Sequence, residues 1–167
     1  MDCDRIASNL FVGSCLLDAK ELKELRSLGV TAIVSLQTEQ DMGKRGIEWE
    51  QKASLAAGLA FRSVPVRDFD TADLQRKLPE CVMALDRMLK AGRTVYLHCT
   101  AGTGRSPTVA AAYLHWCLAW PLERALAHLR DARDCSPNAE AMKPLVHHTV
   151  AQSLDSSRDE ADHKGCS

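Results

Sequence analysis

The chain has 167 residues, 46% of them hydrophobic, which is enough for one well-packed core. Its net charge is −1 and its basic residues are dispersed, which excludes broad electrostatic attraction to nucleic acid or to an anionic membrane. Seven cysteines without paired spacing argue against a disulfide framework and a structural zinc site. We therefore expect a reducing compartment, no metal and no cofactor.

Composition and the first residues also bear on organisation and location. We expect one domain over residues 1–154, followed by a polar tail over residues 155–167. No apolar run approaches the roughly 20 residues that span a bilayer. The first residues lack the apolar region of a secretory signal and the Arg- and Ser-rich composition of a transit peptide. We expect an intracellular, soluble monomer of the plastid or cytosol, without membrane or nucleic-acid partners.

The first half of the chain alternates strand-like and helix-like segments. Three apolar segments are predicted strands: 9–13, 30–36 and 60–66. Two segments with apolar residues at helical spacing are predicted helices: 17–28 and 47–57. The polar stretch 37–46 is interpreted as a loop. Because strand, helix and strand follow one another, we predict an α/β fold with a central, mostly parallel sheet of about four or five strands flanked by helices.

The second half contains one more predicted strand and several helices. An acidic loop at residues 67–73 precedes a helix that begins near residue 74 and ends near residue 89. A β-prone apolar strand follows at residues 94–97. The later predicted helices are, in order: 107–114, 123–133 and 139–154.

A cysteine lies where the strand at 94–97 ends, and a glycine-containing loop separates it from the next helix. The positive field of a helix N-terminus favours the thiolate form of Cys99, which is the nucleophilic form. Glycines at two loop positions allow the backbone N–H groups to turn inward and form a cradle for a tetrahedral oxyanion such as phosphate. The residues expected to bind that phosphate are Thr100, Ala101, Gly102, Thr103, Gly104 and Arg105.

The side chains next to this loop suggest how it would act. The planar guanidinium of Arg105 can bind two phosphate oxygens and gains strength as charge moves onto them. Ser106 can donate a hydrogen bond to the sulfur, and His98 can orient the loop by hydrogen bonding. A buried structural cysteine beside a glycine turn is the alternative, but it leaves the strand, loop, arginine and helix unexplained. The combination predicts a nucleophilic phosphate site.

Cleavage of a phosphate ester also needs an acid that protonates the leaving oxygen. The acidic loop supplies two candidates, Asp68 first and Asp70 second, while Asp73 is interpreted as the cap of the following helix.

The residues His98-Cys99, five variable positions, Arg105 and Ser106 resemble the signature of the Cys-based dual-specificity phosphatases. Residues 99–105 also match the pattern Cys-x-Ala-Gly-x-Gly-Arg of glucan phosphatases, the group of laforin and the plant starch-excess enzymes. The resemblance extends over nearly all of residues 9–150. Four further segments resemble the plant enzymes: 11–16, 35–37, 67–70 and 133–137.

The resemblance implies the dual-specificity phosphatase fold and hydrolysis of phosphorylated glucan, a starch or glycogen-like polymer, through a phosphocysteine. It makes Asp68 the general acid and Phe69 an aromatic that lies against the sugar chain. A flat ring stacked on a pyranose covers its C–H surface while the hydroxyls stay hydrated. Trp49 and Phe11 are candidates to extend this platform, with ordinary core packing as the alternative for both.

Other functions remain open. Ser106 and the dipeptide Pro137-Asn138 are similar to protein-directed members of the family, so a phosphatase for phosphotyrosine and phosphoserine or phosphothreonine is the main alternative. A phosphoinositide substrate is disfavoured because the loop has no lysine. A carbohydrate-binding pseudophosphatase is disfavoured by the presence of Cys99, Arg105 and a candidate acid.

Overall fold

A computed structural model describes residues 1–43 and 46–144, and its centre is a five-stranded sheet. The strands are β1 (Cys3–Ala7), β2 (Leu10–Gly13), β3 (Ala32–Ser35), β4 (Ala60–Ser63) and β5 (Val95–His98). Their order across the sheet is β1-β2-β5-β3-β4. Only the edge pair β1–β2 is antiparallel, and the other three pairings are parallel. The predicted α/β class with a mostly parallel sheet is confirmed.

Helices cover both faces of the sheet. They are α1 (Ala19–Ser27), α2 (Glu39–Met42), α3 (Gly46–Ala56), α4 (Thr71–Lys90), α5 (Arg105–Trp116) and α6 (Leu122–Ala132), followed by a short 3-10 helix (Glu140–Met142). Successive strand residues point to opposite faces, so each strand contributes to two cores. Val34 and Leu97 pack in the core formed with α4, α5 and α6. Ile33 and Tyr96 pack in the smaller core with α1 and the apolar side of α3.

The sheet brings several loops to one edge. In register, Gly13 of β2 and Ser35 of β3 flank His98 of β5, so these three parallel strands end side by side. Ligands of open parallel sheets bind beyond the carboxyl ends of the strands. The loop that follows β5 therefore lies at the centre of the expected site.

Three local predictions were wrong or incomplete. Strand β1 was missed; it is an edge strand without strong apolar alternation. The predicted loop 37–46 contains helix α2, which starts with a capping box at Thr38. Helix α4 begins at Thr71, three residues before the predicted start near residue 74, because its N-cap is Asp70 and not Asp73.

The C-terminal prediction is tested only at its start. A 3-10 helix at Glu140–Met142 stands where the helix 139–154 was predicted, and residues from 145 onward, including the predicted tail 155–167, lie outside the described residues. Across the described ranges, no helix combines the length and hydropathy that crossing a membrane requires.

Candidate active site

The loop from Cys99 to Gly104 joins β5 to α5, and its carbonyl groups are held from outside. The acceptor and donor pairs are Thr100 O with Cys15 N at 2.9 Å, Gly102 O with Arg133 Nε at 2.9 Å, Thr103 O with Ser136 N at 2.8 Å, and Gly104 O with Thr108 Oγ1 at 2.7 Å. In a trans peptide, the following N–H points opposite to the carbonyl. The N–H groups that follow these carbonyls therefore point away from the outside partners, as a cradle for an oxyanion would require.

Gly102 is the one loop position that requires glycine. Its φ is +71°, and a Cβ there would lie 2.5 Å from the carbonyl carbon of Gly13 and 2.8 Å from a guanidinium nitrogen of Arg133. Gly104 has a φ of −118°, and a Cβ there would meet nothing within 4 Å. The conformational freedom expected of both glycines is thus used only at Gly102.

Cys99 lines a cavity of about 360 Å³. The residue is 3% exposed, yet it lines the cavity, and its sulfur lies 3.3 Å from the hydroxyl of Ser106, which donates to it. The other lining residues come from the acidic loop, α4, the cysteine loop and the turn after α6: Arg67, Asp68, Phe69, Asp70, Thr71, Leu74, Ala101, Thr103, Gly104, Arg105, Ser136 and Asn138. The cysteine and the candidate acids therefore share one cavity.

Arg105 is buried in the cavity wall, with 4% of its side chain exposed. One terminal nitrogen donates to Asp41 at 2.8 Å and to Val66 O at 2.7 Å. The other donates to Thr100 Oγ1 at 3.0 Å and lies 3.1 Å from Asp68. Its Nε is buried without a hydrogen-bond partner among the described residues. Such a donor on a buried cation is suited to bind an anion that enters the cavity.

Asp41 is a site residue that sequence reasoning missed. Burial opposes its ionisation, but hydrogen bonds from Arg105 and Thr38 outweigh that effect and lower the pKa of the Asp41 carboxyl. Burial likewise opposes the charge of Arg105, but the hydrogen bond to Asp41 and the nearby Cys99 and Asp68 outweigh burial and raise the pKa of Arg105. The sequence signal that could have placed Asp41 at the start of a helix was its spacing from Thr38, which is that of a capping box with Asp in place of Glu.

The acidic loop separates the two candidate acids. Asp68 is partly exposed and reaches the cavity, where it pairs with Arg105. Asp70 instead accepts the N–H of Asp73 at 2.8 Å and pairs with Arg67 at 3.0 Å. Asp70 is occupied by capping, so the geometry favours Asp68 as the group that meets a leaving oxygen.

Asp73 anchors this loop from below. The carboxylate is buried and accepts the N–H of Arg67 at 2.9 Å. It also pairs with Lys77 at 3.2 Å and with Arg76. Burial raises the pKa of Asp73, but the hydrogen bonds from Arg67 and Lys77 outweigh it and the pKa is lowered overall.

The three aromatic candidates for a sugar platform have different positions. Phe69 is fully exposed at the cavity rim, with a left-handed φ of 55°. The proposed role of Phe11 is wrong because its side chain is 7% exposed and packs in the core with Leu16 and Tyr96. Trp49 is half-buried on α3 and is not one of the described residues that line the cavity.

Two buried side chains support the loop. His98 has its Nδ1 at 3.0 Å from Cys99 O, in line with the predicted orienting role. Arg133 was missed by sequence reasoning: it donates to Gly102 O and to Val12 O at 3.0 Å, and it pairs with Asp2 and Asp4. Arg133 thus ties the cysteine loop to β2 and to the N-terminal strand. In the described part of the chain, no cluster of three His, Cys, Asp or Glu side chains could hold a metal ion.

Comparison with known proteins agrees with this geometry. The chain is 35% identical over 142 residues to phosphoglucan phosphatase DSP4, amyloplastic, of Castanea sativa, covering 83% of this chain and 38% of that protein. It is 32% identical over 137 residues to laforin of Mus musculus, covering 74% of this chain and 42% of that protein. It is 29% identical over 140 residues to dual specificity protein phosphatase 5 of Homo sapiens, covering 83% and 33%.

The chain therefore spans less than half the length of these relatives. Among solved structures, Tk-PTP in the active form superposes with a TM-score of 0.68 at 22% identity, covering 84% of this chain and 90% of that chain, which supports the fold. The family model for the dual specificity phosphatase catalytic domain matches residues 10–150. With a model match over most of its length, the chain belongs to the family of dual specificity phosphatase catalytic domains.

Proposed function

We propose that this domain hydrolyses phosphate monoesters through a phosphocysteine intermediate. The observation that carries the proposal is that Cys99 and Arg105 line one cavity and that the buried Nε of Arg105 has no hydrogen-bond partner among the described residues. Oxyanion donors arranged before the substrate arrives stabilise the transition state because they need little reorganisation.

The first chemical step uses three side chains. The thiolate of Cys99 attacks phosphorus, so a P–S bond forms as the P–O bond to the leaving group breaks. Arg105 binds two equatorial oxygens, and those oxygens displace Asp68 from its ion pair with the guanidinium. The released Asp68 carboxylate takes up a proton from water, and the resulting acid gives that proton to the leaving oxygen.

The second step regenerates the enzyme. Asp68, now a carboxylate, takes a proton from water, and the resulting oxygen attacks phosphorus as the P–S bond breaks. Inorganic phosphate leaves, and the sulfur returns as a thiolate that accepts the hydrogen bond of Ser106 at 3.3 Å. The bonds made and broken balance without a metal or cofactor.

Replacement of the nucleophile tests this proposal. Cys99→Ser should abolish release of phosphate from an aryl phosphate, yet it should keep binding of inorganic phosphate because the amides and Arg105 remain. Cys117→Ser is the matched control, since Cys117 is exposed and is not one of the described residues lining the cavity. Turnover by C99S at the wild-type rate excludes the mechanism.

We further propose that the substrate is phosphorylated glucan, a starch or glycogen-like polymer. The observation that supports it is Phe69, a fully exposed ring at the cavity rim on a left-handed backbone. Such a conformation costs about 1–3 kcal/mol, and a fully exposed ring contributes no burial energy to the fold. A sugar face stacked on the ring gives both features a use. Two relatives, phosphoglucan phosphatase DSP4 and laforin, are compatible with this substrate.

A phosphoprotein is the second candidate. It is favoured by Ser136, a small polar residue that borders the cavity and leaves room for a protein segment. The deciding experiment compares phosphate release from phosphorylated starch with release from a phosphopeptide panel, for wild type and Phe69→Ala. A loss of phosphate release by F69A on starch but not on the phosphopeptides supports the glucan substrate. Trp116→Ala is the control, because Trp116 is another exposed aromatic. Preference for phosphopeptides with no effect of F69A supports the protein substrate.

A further inference from the structure

A polar layer lies inside the core directly behind the cysteine loop. His98 of β5 is in register with Ser35 of β3, and Ser35 is in register with Ser63 of β4. Paired residues of parallel strands point to the same face, and here that face is covered by α3. Helix α3 adds Glu50 and, one turn later, Ser54, both of which are buried.

This layer is costly for the fold. The Glu50 side chain is 1% exposed, and neither of its oxygens has a partner with hydrogen-bond geometry among the described residues. Burying a carboxylate costs several kcal/mol. Two residues earlier on the same strands, the same face carries the hydrophobic side chains of Tyr96, Ile33 and Phe61. On this face, the residues of β3, β4 and β5 are thus hydrophobic except at the strand ends next to the cysteine loop.

Glu50 reaches the loop through one ring. Its Oε1 lies 2.6 Å from Nε2 of His98, an ion-pair distance whose alignment does not meet hydrogen-bond geometry. On the other side of the ring, Nδ1 lies 3.0 Å from the carbonyl oxygen of Cys99. A carbonyl only accepts, so Nδ1 carries the hydrogen. The N–H of Thr100 belongs to the same peptide and points the opposite way, into the loop.

We propose that Glu50 is a positioning residue that acts on the phosphate cradle through His98. By holding the ring, it orients the peptide between Cys99 and Thr100 and so directs the Thr100 N–H toward the bound oxyanion. This inference rests on the proposed function, because it assumes that the cradle binds a tetrahedral oxyanion.

The experiment measures binding of tungstate, a tetrahedral oxyanion, by calorimetry, so it needs no turnover. Glu50→Leu keeps a similar volume but cannot hold the ring, and we expect about tenfold weaker binding, the contribution of one hydrogen bond to a charged group. Glu50→Gln can still contact the ring and should bind within about threefold of wild type. Glu48→Leu is the control, because Glu48 is on the same helix with 82% of its side chain exposed.

A double-variant cycle tests whether Glu50 acts through the ring. His98→Asn keeps an N–H for the Cys99 carbonyl but removes the imidazole that Glu50 contacts. In that background E50L should weaken binding no further, because the two residues act as a unit. Additive losses overturn the proposal. So does an E50L protein that binds tungstate like wild type, or one that no longer folds, since Glu50 would then serve stability.

The two proposals can fail separately. If wild type binds no tungstate, the proposed phosphatase function fails first. If wild type binds tungstate and E50L binds equally well, only the role of Glu50 fails.

Discussion

Asp41→Asn tests the support of Arg105, the proposed phosphate-binding residue. Asp41 contacts both terminal nitrogens of Arg105, at 2.8 and 3.4 Å, and both side chains are largely buried. Removing one partner of a buried ion pair costs about 3–5 kcal/mol. Asn keeps one acceptor, and Arg105 also has Val66 O and Thr100 Oγ1 as partners, so we expect a loss in unfolding free energy below that range, about 2 kcal/mol.

The catalytic effect of D41N should be larger than its effect on stability. A guanidinium that is no longer held can turn its Nε away from the phosphate, and the loss of one such preorganised donor lowers kcat by about 100-fold. The assay is kcat/KM for an aryl phosphate, with urea unfolding of the same samples. Asp131→Asn, at an exposed position on α6, is the matched control.

The pH dependence of the D41N effect has a definite sign. The pKa of Asp41 is lowered from its ordinary value of 3.8, so its stabilising effect is complete above that value and is lost as pH falls through the lower, folded-state pKa. The unfolding free energies of wild type and D41N should therefore differ at neutral pH and converge below pH 3.8. Turnover of D41N within twofold of wild type would refute the reasoning, as would an equal loss in D131N.

Four further predictions concern the acidic loop, its buried anchor and the cysteine loop. Asp68→Ala should slow hydrolysis of a sugar phosphate far more than that of an aryl phosphate, because a poor leaving group needs the acid. Asp70→Ala should lower unfolding free energy by about 1 kcal/mol through the lost cap; if instead D70A alone shows the leaving-group dependence, Asp68 is not the acid. Gly102→Ala should lower the melting temperature and weaken tungstate binding because its φ is +71°, whereas Gly104→Ala should leave melting unchanged; equal melting of both would contradict the loop geometry. Asp73→Asn should lower the free energy of unfolding in urea at neutral pH but not in acid, because the pKa of Asp73 is lowered and its stabilisation is lost as pH falls through that pKa. A difference in unfolding free energy that grows in acid would contradict this.

What could be read from the sequence was local. Cys99 and Arg105 lie within seven consecutive residues, so their strand, loop and helix could be recognised without the rest of the chain. The acidic loop was also recognisable, but its capping residue was displaced by one helical turn. Both acids line the cavity, but that difference commits the Asp70 carboxylate to the helix cap and leaves Asp68 without a capping role.

The supports of the site come from far along the chain. Asp41 is 64 residues from Arg105, and Arg133 is 31 residues from Gly102. Their side chains meet only because parallel strands with crossover connections end at one edge of the sheet. No pattern within a few residues records such a meeting.

The sequence by itself located Cys99, Arg105 and the glycine-containing loop between them, and it predicted the alternation of strands and helices that makes the sheet. The tertiary structure alone decided that Phe11 faces the core while Phe69 faces solvent, and that Glu50 is buried behind the loop. The physical reason is that strand and helix periodicity specify which residues share a face, whereas the packing of layers decides what that face meets.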